Sequence, residues 1–506
     1  MIQIFPKTYR ASPHIFLAWF LMMLGILFRA QQFFLNRSLW GDEASLALNI
    51  MERSFVDLLK PLDYAQGGPL GFLMVEKVLV SLWGSSEYVL RFFPFLCGVL
   101  SVFLFYKVAL RYIAPRAVPI ALGFFSFSGW LTYYSSEAKQ YSGDVLFTLI
   151  LLWVAAKIYA EALSVSRVIG YGLVGGISVF FSHPAVFVLV GSAISLALDF
   201  LCRKDREKLG KLGVICGIWL LGGGLCFWAS YGYLLGLRNS QYLADFWDRG
   251  FIHFPLNLSW LRKYLLSVFR DPAGLCPEWL GLIIFVGGGI SLWRDKRGLL
   301  YVLLISIVVT LFASAGHIYP FVTRLLLFMI PIILLLVAEG IEMIVFRVRP
   351  FFRIIGVALS LALLLYSMKM AWPLAKPPHS QEEMRPVAVY IFKHKRPGDM
   401  LCLYSNAGRT YLYYMKRGYF DIEDTIRGRL PVAGRKRDLA DFDRLRGHRR
   451  VWVLFDQAMM LKERKENLGL LKHLDTIGVR KRTYKAVGVA VYLYDFSLRK
   501  VEARSL

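Results

Sequence analysis

Asp42 and Glu43 stand side by side in Leu39-Trp40-Gly41-Asp42-Glu43-Ala44, just beyond the first long apolar run, Ile15 to Leu35. If that run crosses a bilayer, the pair lies at the membrane surface on the side away from the N-terminus. Acids are costly to hold near hydrocarbon and tend to mark function there. A carboxylate so placed can take a proton from a hydroxyl. The structural alternative is that Asp42 is the N-cap of the helix that follows, with Glu43 favoured in its first turn by the helix dipole. Leu48, Met51, Phe55, Leu58 and Leu59 would form the apolar face of that helix, and Pro61 would end it. One residue can fill both roles.

Two further clusters carry charge beside apolar runs. Ser135-Ser136-Glu137-Ala138-Lys139-Gln140-Tyr141 precedes a run with Asp144 just inside it, and His317-Ile318-Tyr319-Pro320-Phe321-Val322-Thr323-Arg324 opens another. Taken singly, Lys139 and Arg324 read equally as snorkelling anchors at headgroup level. Three clusters on different segments of one face are harder to explain as anchors.

The elements that must position these residues follow from composition. The chain has 506 residues, 57% of them hydrophobic, with a mean hydropathy of +0.50. Soluble domains sit nearer about 45–50% apolar, so this is a membrane protein. About 11 runs are long enough to cross a bilayer: 14–35, 89–110, 117–134, 142–163, 168–183, 185–202, 212–236, 278–293, 298–315, 321–345 and 354–372, the fifth and sixth parted at His183-Pro184. The net charge of +25 does not indicate nucleic acid, because the basic residues flank apolar runs as topology signals do. Lys7 and Arg10; Lys107, Arg111 and Arg116; Arg203 to Lys211; Arg294 to Arg297; and Arg347 to Arg353 mark one set of loops as cytoplasmic. Loops 36–88, 135–141, 237–277 and 316–320 then form the outer face, together with the C-terminal tail. The first run is too long for a cleavable signal and continues into a chain that needs it as a span.

The first outer loop holds the helix after Asp42, then Tyr64-Ala65-Gln66-Gly67-Gly68-Pro69, then a second amphipathic helix from Pro69 to near Gly84; both suit the membrane interface. Pro373, Pro377 and Pro378 form a linker to a soluble domain at 373–506, leaving a membrane domain at 1–372. In the tail, strands at Met400–Tyr404, Val451–Phe455 and Val487–Tyr494 alternate with helices at Glu382–Phe392 and Leu468–Leu474, which predicts a small α/β layer. The basic stretch from Arg427 to Arg450 reads as a solvated surface or a contact for anionic headgroups or glycans. Six scattered cysteines form no CxxC pair, so neither a disulfide framework nor a zinc site is indicated.

One chemistry fits the three clusters. A sugar on a polyprenyl phosphate already has a good leaving group. It needs a base for the acceptor hydroxyl and cations for the departing phosphate. The sequence has no P-loop, no Rossmann glycine fingerprint and no GxSxG elbow, which argues against nucleotide binding and serine hydrolysis.

The pattern resembles the GT-C superfamily of polytopic glycosyltransferases, in the bacterial branch related to protein O-mannosyltransferases and aminoarabinose transferases of lipid A. The resemblance rests on Trp40-Gly41-Asp42-Glu43, Gln66-Gly67-Gly68-Pro69-Leu70, Glu87-Tyr88-Val89-Leu90-Arg91-Phe92, Glu137-Ala138-Lys139-Gln140-Tyr141 and Thr323-Arg324-Leu325-Leu326, in that order over roughly residues 14–345. It implies an α-helical polytopic fold and an inverting transferase on the outer face of a bacterial plasma membrane. The donor would be a polyprenyl-phosphate sugar and the acceptor a glycan, lipid or protein. Asp42 would be the base, and Glu43 would orient acceptor or base or help hold a divalent cation, for which no ligand set is evident. Lys139, Tyr141 and Arg324 would bind the lipid phosphate, with Gln66 and His317 as further substrate contacts. Gln66-Gly67-Gly68 departs from the His/Lys-Pro-Pro pattern, and Lys139 stands where arginine, with its bidentate fork, is commoner. Two other classes remain open. A flippase for a lipid-linked glycan would use the same cations without chemistry, although no paired repeat of the kind transporters show is visible. A sensory or scaffold protein would make the outer-face acids dispensable.

Overall fold

The computed structural model describes residues 13–238, 241–254, 258–347, 350–371, 382–404, 407–418, 425–427, 440–456 and 460–497. Helices occupy all of the predicted apolar runs. They include Pro13–Phe34, Glu87–Tyr112, Tyr141–Ala160, Val165–Phe181 and Ala185–Cys202, the last two divided at Ser182-His183-Pro184 as expected. Among the described residues seven helices are long and apolar enough to cross a membrane, and three shorter apolar ones lie at Ala117–Ser126, Val165–Phe181 and Gly356–Met370. The chain is thus a multi-pass helical membrane protein with a small mixed sheet near its C-terminus.

Two predicted spans are irregular. The run at 117–134 is broken after Phe127, where Ser128 Oγ accepts the Leu131 N–H at 3.4 Å and starts a new short helix, Gly129–Tyr134. The run at 321–345 is a 3-10 turn over Thr323–Met329, an α-helix over Ile330–Glu342 and a π-turn over Met343–Arg347.

By contacts the chain divides into two units. One comprises Met1–Leu35, Ser54–Leu82 and Tyr88–Pro377; the other comprises Asn36–Arg53, Trp83–Glu87 and Pro378–Leu506. The domain boundary expected at 372/373 lies outside the described residues.

The first unit is organised around Ile330–Glu342, every residue of which is buried. A helix apolar all round belongs inside a bundle. Its close neighbour is Glu278–Asp295. A Cβ on Gly340 would fall 2.0 Å from the Ile284 carbonyl oxygen and one on Gly288 1.9 Å from that of Leu336, so the two backbones touch through small residues, as membrane helices do. At the end of this helix the Glu339 carboxylate accepts from the Ala114 N–H (2.7 Å), Ser291 Oγ (2.7 Å) and Arg347 (3.2 Å), so a buried acid is paired, as burial demands.

The second unit holds a five-stranded sheet. Its strands are β1 (Met400–Tyr404), β2 (Thr425–Arg427), β3 (Val451–Asp456), β4 (Val479–Ala486) and β5 (Val489–Asp495), in the order β2-β1-β3-β5-β4. β1 runs parallel to β2 and β3; β5 is antiparallel to β3 and β4. Val451, Val453, Phe455, Ala490, Tyr492 and Tyr494 form one buried face with Leu470 and Leu474 of the helix Met460–Ile477. The alternate residues Leu401, Leu403, Trp452, Leu454, Val491 and Leu493 are also buried, on the face served by the helices Met384–His394 and Ala407–Lys416. Period-two alternation with both faces apolar is what a sheet covered on two sides requires. Of the basic stretch Arg427–Arg450, residues 428–439 lie outside the described residues, as do Pro373, Pro377 and Pro378 of the linker.

Asp42 is not the N-cap. The helix runs Gly41–Glu52, Trp40 is the cap residue, and it makes no side-chain cap bond; Asp42 and Glu43 sit in the first turn. Within the second unit the Gly41 N–H is instead accepted by Glu382 Oε2 at 3.0 Å. A carboxylate 341 residues away in sequence thus does what a local cap would do. The helix also ends before Pro61, because Arg53 turns extended and Ser54 and Asp57 exchange hydrogen bonds that begin a separate 3-10 turn, Asp57–Leu59. The second helix is Leu70–Trp83, as the Pro69 and Gly84 signals predict.

Candidate active site

In the first unit, the turn that joins Gly129–Tyr134 to Tyr141–Ala160 is the focus. It is tight: the Ser136 N–H bonds the Tyr133 carbonyl at 3.1 Å, and the Lys139 N–H bonds the Glu137 carbonyl at 2.7 Å. The helix Glu87–Tyr112 braces it. A Cβ on Gly98 would fall 2.5 Å from Ser135 Cβ, closer than side chains approach, so only glycine lets this helix lie against the turn. Gly98→Ala must therefore push the turn away. Any activity that depends on this turn should fall by about tenfold or more, since a misplacement of about 1 Å can cost that and beyond, with expression and size-exclusion behaviour retained. An unchanged rate would show that the turn tolerates the shift.

Lys139 is buried, and its Nζ donates to Gln66 Oε1 at 2.5 Å. Gln66 is buried too, and its Nε2 donates to the Tyr64 carbonyl at 3.3 Å. The residues before it are strained: Tyr64 has φ 63° and Ala65 φ 52°, left-handed values that cost a non-glycine residue about 1–3 kcal/mol. Strain of this kind persists where the surroundings fix a conformation. Here it presents Gln66 to the lysine, so the segment without a basic residue of its own reaches one from another helix pair.

Two residues along the same turn, Tyr141 is buried, and the Arg324 guanidinium lies 5.8 Å from its ring centroid and 5.6 Å from that of Trp247. Both distances are in the cation–π range. Trp130 stacks on Tyr134 at 5.7 Å, and Tyr134 meets Tyr141 edge-on at 5.2 Å, so an aromatic row fixes the Tyr141 ring. The segment before Arg324 is docked by Phe321 N–H and Ser314 Oγ, which both donate to the Gly250 carbonyl, at 2.8 and 3.2 Å.

Gln66, Lys139, Tyr141 and Arg324 are thus gathered by one turn. His317 is not among them. It is exposed, with its ring stacked on Phe251 at 4.8 Å and edge-on to His253 at 5.0 Å. Two residues were not named as site residues on sequence grounds. Glu137 is 0% exposed beside Lys139, and its acid-x-Lys spacing within a short turn was the available signal. Trp247 sits in a loop helix, Gln241–Trp247, and nothing in the sequence ties it to Arg324. In the second unit, Glu43 is 1% exposed whereas Asp42 is half-buried. Among the described residues no three His, Cys, Asp or Glu side chains cluster closely enough to hold a metal ion.

No protein-family model matches the chain. Its fold is that of solved membrane glycosyltransferases. ArnT from Cupriavidus metallidurans, bound to undecaprenyl phosphate, matches over 95% of this chain and 97% of its own, at 12% identity and a TM-score of 0.56. The same protein in the apo state matches at 14% identity and 0.54, over 94% and 98%. The oligosaccharyltransferase of Archaeoglobus fulgidus in complex with zinc and sulfate matches over 94% of this chain and 73% of its own, at 12% identity and 0.53. The architecture expected from the short motifs, a GT-C fold, is therefore the one observed.

Proposed function

We propose that this chain transfers a sugar from a polyprenyl-phosphate donor to an acceptor hydroxyl, with inversion, on the outer face of a bacterial plasma membrane. The observation that carries the reading is the convergence of Gln66, Lys139, Tyr141 and Arg324 on one buried turn. Two cations on one turn, Lys139 buried and Arg324 half-buried, suit the binding of an anionic phosphate there. A neighbour of the same fold holds undecaprenyl phosphate, which is the anion this reading assigns.

The roles follow from the bonds that change. The acceptor oxygen attacks the anomeric carbon as the bond from that carbon to the phosphate oxygen breaks, and Asp42 takes the acceptor proton. Lys139 and Arg324 stabilise the second negative charge that develops on the departing polyprenyl phosphate, and the Tyr141 hydroxyl donates to it. Glu43 orients the base, Gln66 orients Lys139, and His317, out on the loop, contacts substrate rather than the phosphate. Acceptors of glycan, lipid or protein type all present the required hydroxyl. The outer-face assignment rests on the lysine and arginine distribution, which puts the N-terminus inside and the tail outside.

The test is a reconstituted assay with radiolabelled polyprenyl-phosphate sugars and a membrane extract. Lys139→Met should lower kcat/KM about 10²-fold, the scale of removing one preorganised donor. Lys139→Arg should keep part of the activity, because charge is retained. Full activity of Lys139→Met with every donor would remove the lysine from phosphate binding. Donor movement across the bilayer without label transfer would replace the transferase with a flippase.

A further inference from the structure

A cavity of about 1330 Å³ opens in the first unit at the far end of the helix Tyr141–Ala160, lined also by the helices Glu87–Tyr112 and Val165–Phe181 and by Lys296. The turn that carries Lys139 lies at the other end, 20 residues and about 30 Å along the helix axis. The cavity is therefore separate from the candidate active site, and the inference does not depend on the proposed reaction.

Five cations line it, Lys107, Arg111, Lys157, Arg167 and Lys296, against two carboxylates, Glu161 and Asp295. The carboxylates do not neutralise them. Glu161 alone is shared by Lys157 (2.8 Å), Arg111 (3.3 Å) and Arg167 (3.5 Å). Asp295 is taken by Arg347 at 2.9 Å. Lys296 is drawn in by the Arg111 carbonyl at 2.8 Å. The Lys157 ammonium lies 4.9 Å from the Trp153 ring centroid, which fixes it at the cavity wall. Between and above the cations the lining is hydrocarbon, with Leu104, Ile150 and Val174.

Topology signals alone need only scattered lysines and arginines in water. Here three cations converge on one carboxylate at the mouth of a volume above the usual ligand-pocket range of about 300–1,000 Å³, beside apolar walls at the end of a membrane helix. We propose that this cavity binds a membrane lipid through its phosphate, with the surplus cations on the headgroup and the apolar wall on the upper chain. Paired arginines favour phosphate by bidentate bonding, and basic pockets between membrane helices take anionic headgroups.

The experiment is native mass spectrometry of the delipidated full-length protein titrated with phosphatidylglycerol, phosphatidylcholine or undecaprenyl phosphate. Arg111→Gln/Arg167→Gln should weaken binding of an anionic lipid roughly tenfold or more. The control pair Lys204→Gln/Arg206→Gln, exposed cations outside the cavity, should change it by less than about twofold. A loss confined to phosphatidylglycerol identifies a phospholipid, and one confined to undecaprenyl phosphate identifies a carrier lipid. Equal loss in both variant pairs, or no loss in the cavity pair, overturns the site. If the cavity pair does not fold, Lys107→Gln decides. It is exposed and lines the cavity, and unchanged binding there overturns the site as well.

Discussion

Asp42→Asn should lower sugar transfer by about 10²–10⁴-fold, the range for removing a positioned general base, while leaving the fold nearly intact. The mildness of the structural effect follows from the finding that Asp42 is not the cap. Trp40 occupies the N-cap, and Glu382 accepts the Gly41 N–H at 3.0 Å. Asparagine keeps the size of the side chain and loses only its charge in the first turn, worth about 0.3–1 kcal/mol from the helix dipole. Thermal unfolding and amide exchange over Gly41–Glu52 should therefore change little. Glu43→Gln is the contrasting variant. Glu43 is 1% exposed, so its loss should disturb packing and activity together. Measured side by side, the two variants separate a base from a buried structural acid. An Asp42→Asn protein that transfers sugar at the wild-type rate would leave Asp42 without its role.

The parts of this structure that were legible in the sequence are those dictated by local physics. Most of the apolar helices are runs whose limits were readable to within a few residues, whereas the breaks within 117–134 and 321–345 were not. β1, β3 and β5 are short runs of β-branched, aromatic and leucine residues, and they too were readable. The missed elements have chemical reasons. β4, Val479–Ala486, carries Arg480, Lys481, Arg482 and Lys485. It is an edge strand, and edge strands protect themselves with such charges, which hides them from hydropathy. The helix Ala407–Lys416 is rich in tyrosine; Tyr411, Tyr413 and Tyr414 are fully buried by their rings while carrying polar ends. At the candidate site, Lys139 and Arg324 were visible as cations beside apolar runs, each readable singly as a snorkelling anchor. Gln66 and Tyr141 were named as well, but their pairing with these cations was not, because the Gln66–Lys139 bond spans 73 residues and periodicity carries no such information. The cap of the Asp42 helix was misread for the same reason: an aspartate before an apolar-periodic segment satisfies the local rule, and the carboxylate that acts comes from the tail.

That tail contribution gives the second large effect. Arg385→Ala should destabilise the second unit by about 3–5 kcal/mol, because it leaves a buried acid without its cation. Glu87 is only 3% exposed, and its Oε1 accepts from Arg385 Nε at 3.0 Å and from the second guanidinium nitrogen at 2.6 Å. The same guanidinium donates to the carbonyls of Asn36 (3.1 Å) and Arg37 (3.4 Å), and the Arg385 N–H donates to Ser38 Oγ at 3.2 Å. Tyr414 adds to the knot. Its hydroxyl donates to Glu87 Oε1 at 3.2 Å and accepts the Leu39 N–H at 3.0 Å. One arginine therefore ties 36–38, 87 and the start of the helix Met384–His394 into one unit, and the acidic helix Gly41–Glu52 begins only three residues beyond Ser38. A chain of this size need not unfold in two states, so amide exchange is the proper readout. In Arg385→Ala, protection should fall over Asn36–Arg53 and in the tail sheet together, and transfer activity should fall with it, although Arg385 has no assigned chemical role. Arg385→Met/Glu87→Leu should recover much of the stability, since replacing both members of a buried ion pair by apolar residues is often close to neutral. Recovery of protection with return of activity would show that the pair serves to hold the Asp42 segment. Exchange over 36–53 that is indifferent to Arg385→Ala would mean that this segment does not depend on the arginine for its order.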